Sequence, residues 1–226
     1  MWGERRYHSL DHELKKEYGG KVYKLSLSSF CTCPNRDGNK GSGGCIFCSE
    51  GGSGDFAQAP SLDVAEQLRA ARRLVESKLG SDPAGYIAYF QSFSNTYGDP
   101  ERLRELFMAA MDEPEVRILS IATRPDCLPP EIMELLGELA RRKPVWVELG
   151  LQTADDKVGR FINRCYDREV FEEAVRKLGD AGIGVVVHVI VGLPFEGPEE
   201  TKATIRYLAK LRSSGLHIDG IKLHLM

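Results

Sequence analysis

Lys21-Val-Tyr-Lys-Leu-Ser-Leu27 runs straight into Ser28-Ser-Phe-Cys31-Thr-Cys33-Pro-Asn-Arg-Asp-Gly38-Asn-Lys-Gly41-Ser-Gly43-Gly44-Cys45-Ile-Phe47-Cys48. The first seven residues read as a β-strand. The loop that follows holds four of the six cysteines within eighteen residues, with glycine at 38, 41, 43 and 44. Thiolates bunched in this way hold a soft metal or an iron–sulfur cluster. The glycines let the backbone turn sharply and pass close to a bulky inorganic core. A redox dithiol at Cys45-Ile-Phe-Cys48 would leave Cys33 and the glycine-rich loop unexplained.

Outward from this stretch the chain keeps one rhythm. Residues 62–79 carry Val64, Leu68, Ala71, Val75 and Leu79, the apolar stripe of an amphipathic helix, with Gly80 as its stop. Tyr86-Ile-Ala-Tyr-Phe90 is a second strand. Asp99-Pro100 predicts an N-cap with proline at the first helical position. Arg117–Thr123, Val145–Leu151, Gly184–Val191 and Asp219–Met226 supply four more strands. Helices opened by Pro130, resumed at Phe171 after a break near Cys165, and opened by Gly197-Pro198 separate them. Upstream, His8–Tyr18 reads as a short helix with Leu10, Leu14 and Tyr18 on one side. Six strands alternating with five main helices, the strands apolar throughout, imply parallel pairing with right-handed crossovers. The expected domains are an extension over residues 1–20 and one core over 21–226.

An open doubly wound sheet would place a Gly-x-Gly-x-x-Gly turn after its first strand, and none follows here. Polar residues gather instead where strands end: Gln91, Ser92 and Asn95, Thr123 and Arg124, Gln152 and Thr153, and Glu196. In a parallel barrel those ends form one face, which carries the chemistry. The fold class expected is α/β, a partial TIM-like (βα)6 barrel.

The length of 226 residues suits one such barrel, and a 42% apolar fraction supplies its core. A net charge of −3 gives no global attraction to nucleic acid or anionic membrane. Arg5-Arg6, Lys15-Lys16 and Arg141-Arg142-Lys143 are short basic runs of the kind that solvated surfaces carry. No segment has the length and apolarity of a membrane span, and Met1-Trp-Gly-Glu-Arg-Arg6 lacks a signal peptide's apolar run. The reading is a cytoplasmic protein in which thiols stay reduced and available as ligands.

Two metal readings follow from the residues. Cys33, Cys45 and Cys48 are spaced C-x11-C-x2-C, and three ligands on a four-iron cluster leave one iron open to a substrate or cofactor. With Cys31 as a fourth ligand the set suits tetrahedral zinc, and the chain would be a non-catalytic scaffold module. Zinc ribbons are small and self-contained, whereas this loop follows the first strand of a large α/β core.

Thr32-Cys33-Pro-Asn-Arg-Asp-Gly38 and Gly44-Cys45-Ile-Phe-Cys48 resemble the cluster loop of the radical S-adenosylmethionine (SAM) family of the YhcC/YtqA type, relatives of the Elongator catalytic subunit. The resemblance continues through Tyr89-Phe-Gln-Ser-Phe-Ser-Asn-Thr-Tyr97, Thr123-Arg-Pro-Asp-Cys-Leu128, Glu148-Leu-Gly-Leu-Gln-Thr153, Ile162-Asn-Arg164, Gly192-Leu-Pro194 and Gly220-Ile-Lys-Leu-His224, nearly the whole chain in order. It implies a radical SAM barrel whose last helix and C-terminal extension are absent from this sequence. It implies a 4Fe-4S cluster on Cys33, Cys45 and Cys48, with Cys31 an extra thiol. It further implies reductive cleavage of S-adenosyl-L-methionine to a 5′-deoxyadenosyl radical, fed by an electron donor such as flavodoxin or ferredoxin. The substrate class implied is the wobble uridine of tRNA, with a small molecule as the alternative.

The site residues follow from the same resemblance. Phe47 meets the adenine. Gln91 and Ser92 stand at the methionine-binding loop, and Thr123 and Arg124 at the end of the third strand. Gln152 serves the ribose or methionine part, and Arg164 offers a guanidinium fork to the SAM carboxylate. Gly192, Leu193 and Pro194 form the adenine turn. Glu148, His188 and His224 are the candidate catalytic groups. A buried Glu148 needs a cationic neighbour, and Arg124, Lys222 or SAM itself is expected there.

Overall fold

The computed structural model describes residues 5–54, 56–61, 63–76 and 82–226. Its elements are α1 (Leu10–Tyr18), β1 (Val22–Leu27), α2 (Val64–Glu76), β2 (Gly85–Phe90), α3 (Pro100–Asp112), β3 (Val116–Thr123), α4 (Pro130–Ala140), β4 (Val145–Gln152), α5 (Asp156–Phe161), α6 (Arg168–Asp180), β5 (Gly184–Val191), α7 (Pro198–Ser213) and β6 (Gly220–Leu225). The strands form one sheet in the order β1-β2-β3-β4-β5-β6, every neighbouring pair parallel. The expected start of the second helix at residue 62, Leu79 and the stop at Gly80 lie outside the described residues. Among those residues no helix is long and apolar enough to cross a membrane.

Local chemistry sets the helix starts. Asp99 accepts a hydrogen bond from the Arg102 N–H at the head of α3, and Pro100 takes the first helical position, where its missing N–H costs nothing. Ser9 caps α1 in the same way, and Gly19 ends it at φ 74°. Leu14 is the residue α1 buries, while Leu10, expected beside it, stays 49% exposed.

Period-two alternation sorts each strand into two faces. Leu25, Leu27, Ala88, Phe90, Leu119, Ile121, Val147, Leu149, Val185 and Val187 face outward into the main core, against Leu103, Phe107, Leu135, Leu139, Phe171 and Leu178 of the helices. Each fully buried Leu, Val or Phe contributes about 1.5–3 kcal/mol here. The opposite face lines the inside of a curled sheet. At its amino-terminal end Val22, Ile87 and Ile118 pack with Leu14, and Trp146 abuts them. The segment set apart by sequence as an extension thus plugs the barrel floor with Leu14.

Curvature is shown by contacts across the interior. Lys24 of β1 hydrogen-bonds Glu148 of β4, and Lys222 of β6 reaches Tyr89 of β2 at 3.0 Å. A flat sheet would hold those pairs several strand spacings apart. The architecture is a parallel (βα)6 half-barrel.

Candidate active site and metal centre

Above the apolar floor lies a polar layer to which every strand contributes. Glu148, 1% exposed, sits at its centre. Its Oε2 accepts from Lys222 Nζ at 3.1 Å and pairs with His188 Nε2 at 2.7 Å; its Oε1 accepts from Ser120 Oγ at 2.7 Å and from Lys24. Both ammonium groups also lie over the Tyr89 ring, at 4.3 and 4.5 Å from its centroid. Burial pushes the Glu148 carboxyl up, but the His188 hydrogen bond and the Lys24 and Lys222 charges more than reverse this and hold it well below the usual carboxylate range. Burial lowers His188 despite its carboxylate partner. His224 is lowered to about 4 by burial and by His188, Lys222 and Lys24, so it is neutral at neutral pH. Its ring lies 4.8 Å from that of His188, and its buried Nε2 has no hydrogen-bond partner among the described residues.

The layer is the base of a cavity of about 510 Å³ that opens at the carboxyl ends of the strands. Cavities of this size bind small ligands and cofactors. Cys33, Cys45, Phe47 and Cys48 border it from the loop after β1, and Gln91, Thr123, Arg124, Gln152, Tyr166, Glu148, His188 and His224 complete its wall. Glu148, Gly150 and Gln152 all face it, as their alternation along β4 predicts.

Backbone strain concentrates at this end. Among the described residues the non-glycine positions with positive φ are Ser53, Phe93, Gln152, Asn163, Cys165 and Phe195, all at or after the carboxyl ends of strands. Turns at the opposite end use Gly19, Gly85, Gly182 and Gly215 instead. Strain in non-glycine residues marks segments whose geometry is held by a site. Gly52 shows how tightly that end is built. At φ 69°, a Cβ there would fall 2.5 Å from the Phe93 ring.

The thiols divide sharply. Cys33, Cys45 and Cys48 share the cavity rim, whereas Cys31 is 6% exposed and packs in the main core. Asn35 Nδ2 donates to Cys45 Sγ at 3.4 Å, and Ser53 Oγ to Cys48 Sγ at 3.5 Å. Burial, aided by Cys48 and Cys33, pushes the Cys45 thiol up to about 11, so a thiolate there requires a bound cation. Among the described residues no three His, Cys, Asp or Glu side chains gather closely enough to hold a single metal ion. A cube of iron and sulfur is larger than one ion and spreads its three ligands around its corners. With Cys33, Cys45 and Cys48 on one cavity and Cys31 in the core, the donor set fits a three-ligand 4Fe-4S cluster and does not fit zinc with Cys31 as fourth ligand.

Several of the expected binding residues lie apart from this cavity. Ser92 is buried and bonds Ser28 Oγ at 3.1 Å, outside the cavity. Gly192, Leu193 and Pro194 do not border it either. Leu193 instead packs with Val158, Ile162 and Ile190, against which Phe47 rests. Of the cations expected beside Glu148, Lys222 is present at 3.1 Å, whereas the fork of Arg124 grips Asp126 at 2.9 and 2.8 Å.

Arg164 departs furthest from expectation. It is 1% exposed, and its donors go to the carbonyls of Leu151, Thr153 and Tyr166 at 2.7, 2.8 and 2.9 Å and to Asp156 at 2.9 Å. A planar fork with five donors saturates this set, and an ammonium does not. Arg164 anchors the loop after β4 beneath the cavity. Arg164→Lys is expected to cost about 2–4 kcal/mol in thermal or denaturant unfolding. Arg168→Ala, which removes the exposed partner of the same Asp156, should cost under about 1 kcal/mol.

Sequence reasoning passed over Tyr89, Lys24 and Tyr166. Lys24 and Tyr89 carried a signal, since each interrupts the apolar run of its strand on the inward face. Tyr166 carried none. It lies between the guanidinium groups of Arg124 and Arg164, 4.8 and 4.9 Å from its ring centre, and donates to the Gly150 carbonyl at 3.0 Å.

Known proteins resemble this chain in sequence and in fold. The chain is 42% identical to YtqA of Bacillus subtilis over 99% of its length and 39% identical to YhcC of Escherichia coli K12 over 94%. It spans 67% and 65% of those relatives, about two thirds of each. Among solved structures, Elp3 of Methanocaldococcus infernus superposes with a TM-score of 0.62 at 18% identity, over 91% of this chain and 46% of that one. A family model matches residues 33–208, from the first rim thiol into α7. Half-barrel, rim thiols and sequence agree on one assignment: the chain belongs to the radical SAM superfamily.

Proposed function

We propose that the chain is a radical SAM enzyme that binds a 4Fe-4S cluster through Cys33, Cys45 and Cys48 and acts on the wobble uridine of tRNA. The observation that carries the reading is the separation of the thiols: three border one cavity at the carboxyl ends of the strands, and the fourth lies in the core. When bound, the cluster supplies the electron that cleaves SAM reductively to methionine and a 5′-deoxyadenosyl radical.

The chain's own residues bind and orient. Phe47, backed by Leu193 and Ile190, offers an apolar face to the adenine. Gln91, whose Nε2 donates to the Ser53 carbonyl at 2.7 Å, keeps Oε1 for an ammonium, and Gln152 stands across the cavity. Thr123 and Arg124 form the wall between them. Glu148, His188 and His224 face the substrate side, where the neutral His224 Nε2 is poised for one hydrogen bond. A site that excludes water once its ligands are bound protects a reactive radical from side reactions. The tRNA part rests on the resemblance of the motifs to the Elongator catalytic subunit, and the electron donor is proposed to be a flavodoxin or ferredoxin.

Anaerobic incubation of the reduced protein with SAM is expected to release 5′-deoxyadenosine. No release from protein carrying its full cluster would refute the chemistry. Nucleoside mass spectrometry of tRNA from a deletion strain is expected to show an altered wobble uridine, and an unchanged profile would refute the substrate class.

A further inference from the structure

Asn35 is 0% exposed in a loop whose neighbours at 37–40 are exposed, and it is not one of the proposed ligands. Its carboxamide gives one N–H to the Asn163 carbonyl and the other to Cys45 Sγ at 3.4 Å. A backbone carbonyl only accepts, so the atom facing it is the nitrogen, and this fixes the orientation of the whole amide. On the other side, Cys165 Sγ donates to Asn35 Oδ1 at 3.0 Å.

The surroundings are built to hold that amide. Asn163 and Cys165 both adopt left-handed backbone, φ 57° and 63°, two positions apart. Asn163 Nδ2 donates to the Gly44 and Ser42 carbonyls at 2.8 and 3.2 Å, tying its turn to the thiol loop. Any Cβ at Gly41 would fall 2.2 Å from Asn35 Oδ1 and 3.1 Å from Cys165 Sγ, so only glycine leaves room for the pair.

We infer that Asn35 is a positioning residue that raises the reduction potential of the cluster through the N–H···S bond from its buried amide to Cys45, with Asn163 and Cys165 locking the amide. This rests on the cluster proposed above. One-electron reduction adds negative charge that is shared with the cysteine sulfurs. A donor aimed at a sulfur stabilises the more negative state more, and burial of the donating amide limits its screening by water. Ser53, which makes the corresponding bond to Cys48, is exposed and is assigned only a small effect.

The test is a potentiometric titration of the reconstituted full chain, followed by electron paramagnetic resonance of the reduced cluster. Asn35→Ala is expected to keep its iron and to shift the oxidised-to-reduced ratio about tenfold toward oxidised at a fixed potential, or 59 mV for one electron. Cys165→Ala should shift it less, in the same direction. Cys165→Ser should match the parent, because its hydroxyl donates to the same oxygen. An Asn35→Ala protein with full iron and the parent's potential overturns the inference. If Asn35→Ala loses iron, the Cys165 pair decides: a shifted alanine variant beside a parental serine variant upholds it, and two parental potentials overturn it. A parent protein that takes up no cluster sinks the proposed function and this inference together, whereas a full cluster with an unmoved potential sinks this inference alone.

Discussion

Cys45→Ala is expected to strip the protein of iron, from about four atoms per chain to below one after anaerobic reconstitution. Cys45 shares the cavity rim with Cys33 and Cys48, and its sulfur already receives a hydrogen bond from a buried amide. Removing one of three ligands opens a second iron to solvent, and the cluster is lost. Cys33→Ala and Cys48→Ala should behave alike. Cys31→Ala should keep its iron and its colour, at a cost of about 1 kcal/mol for trimming a buried side chain. Iron and sulfide analysis, with the visible spectrum, reads all four variants. Equal iron loss in Cys31→Ala would show that the first ligand has been misassigned.

The second large effect lies in the polar layer. Glu148→Gln leaves Lys24 and Lys222 inside the barrel with no anion between them. Breaking a buried ion pair on one side costs about 3–5 kcal/mol. For a chain of this length that lowers Tm by roughly 6–20 °C. Burial raises the Glu148 carboxyl, but His188, Lys24 and Lys222 bring it below its ordinary value in the folded state. The stabilisation is therefore fully present above the ordinary glutamate range and is lost as pH falls toward the folded-state value. The stability gap between parent and Glu148→Gln should be widest at neutral pH and should narrow in acid, below about pH 4. Thermal unfolding across that range measures it. A glutamine variant as stable as the parent at neutral pH would remove Glu148 as the keystone of the interior.

The layer also explains how an open sheet holds its curl. β1 and β6 are the free edges and share no backbone ladder. Lys24 on one edge and Lys222 on the other meet the same carboxylate on β4 and the same ring on β2. The interior side chains thus supply cross-links that hydrogen bonding between the edges does not.

The βα rhythm was legible in the sequence because it depends on local spacing. Apolar residues at helical and alternate positions, Asp99-Pro100 and the bunched cysteines specify elements and a thiolate loop whatever the tertiary setting. The inward stripe Glu148-x-Gly150-x-Gln152 was readable for the same reason. Only the tertiary structure decided who meets whom across the barrel. Lys24 and Glu148 are separated by 124 residues and by two intervening strands, so their contact depends on sheet curvature and strand shear, which no periodicity encodes. The same holds for Arg164, whose motif suggested a ligand for a carboxylate. The left-handed turn at Asn163 and Cys165 places its guanidinium among the carbonyls of Leu151, Thr153 and Tyr166, and buries it there.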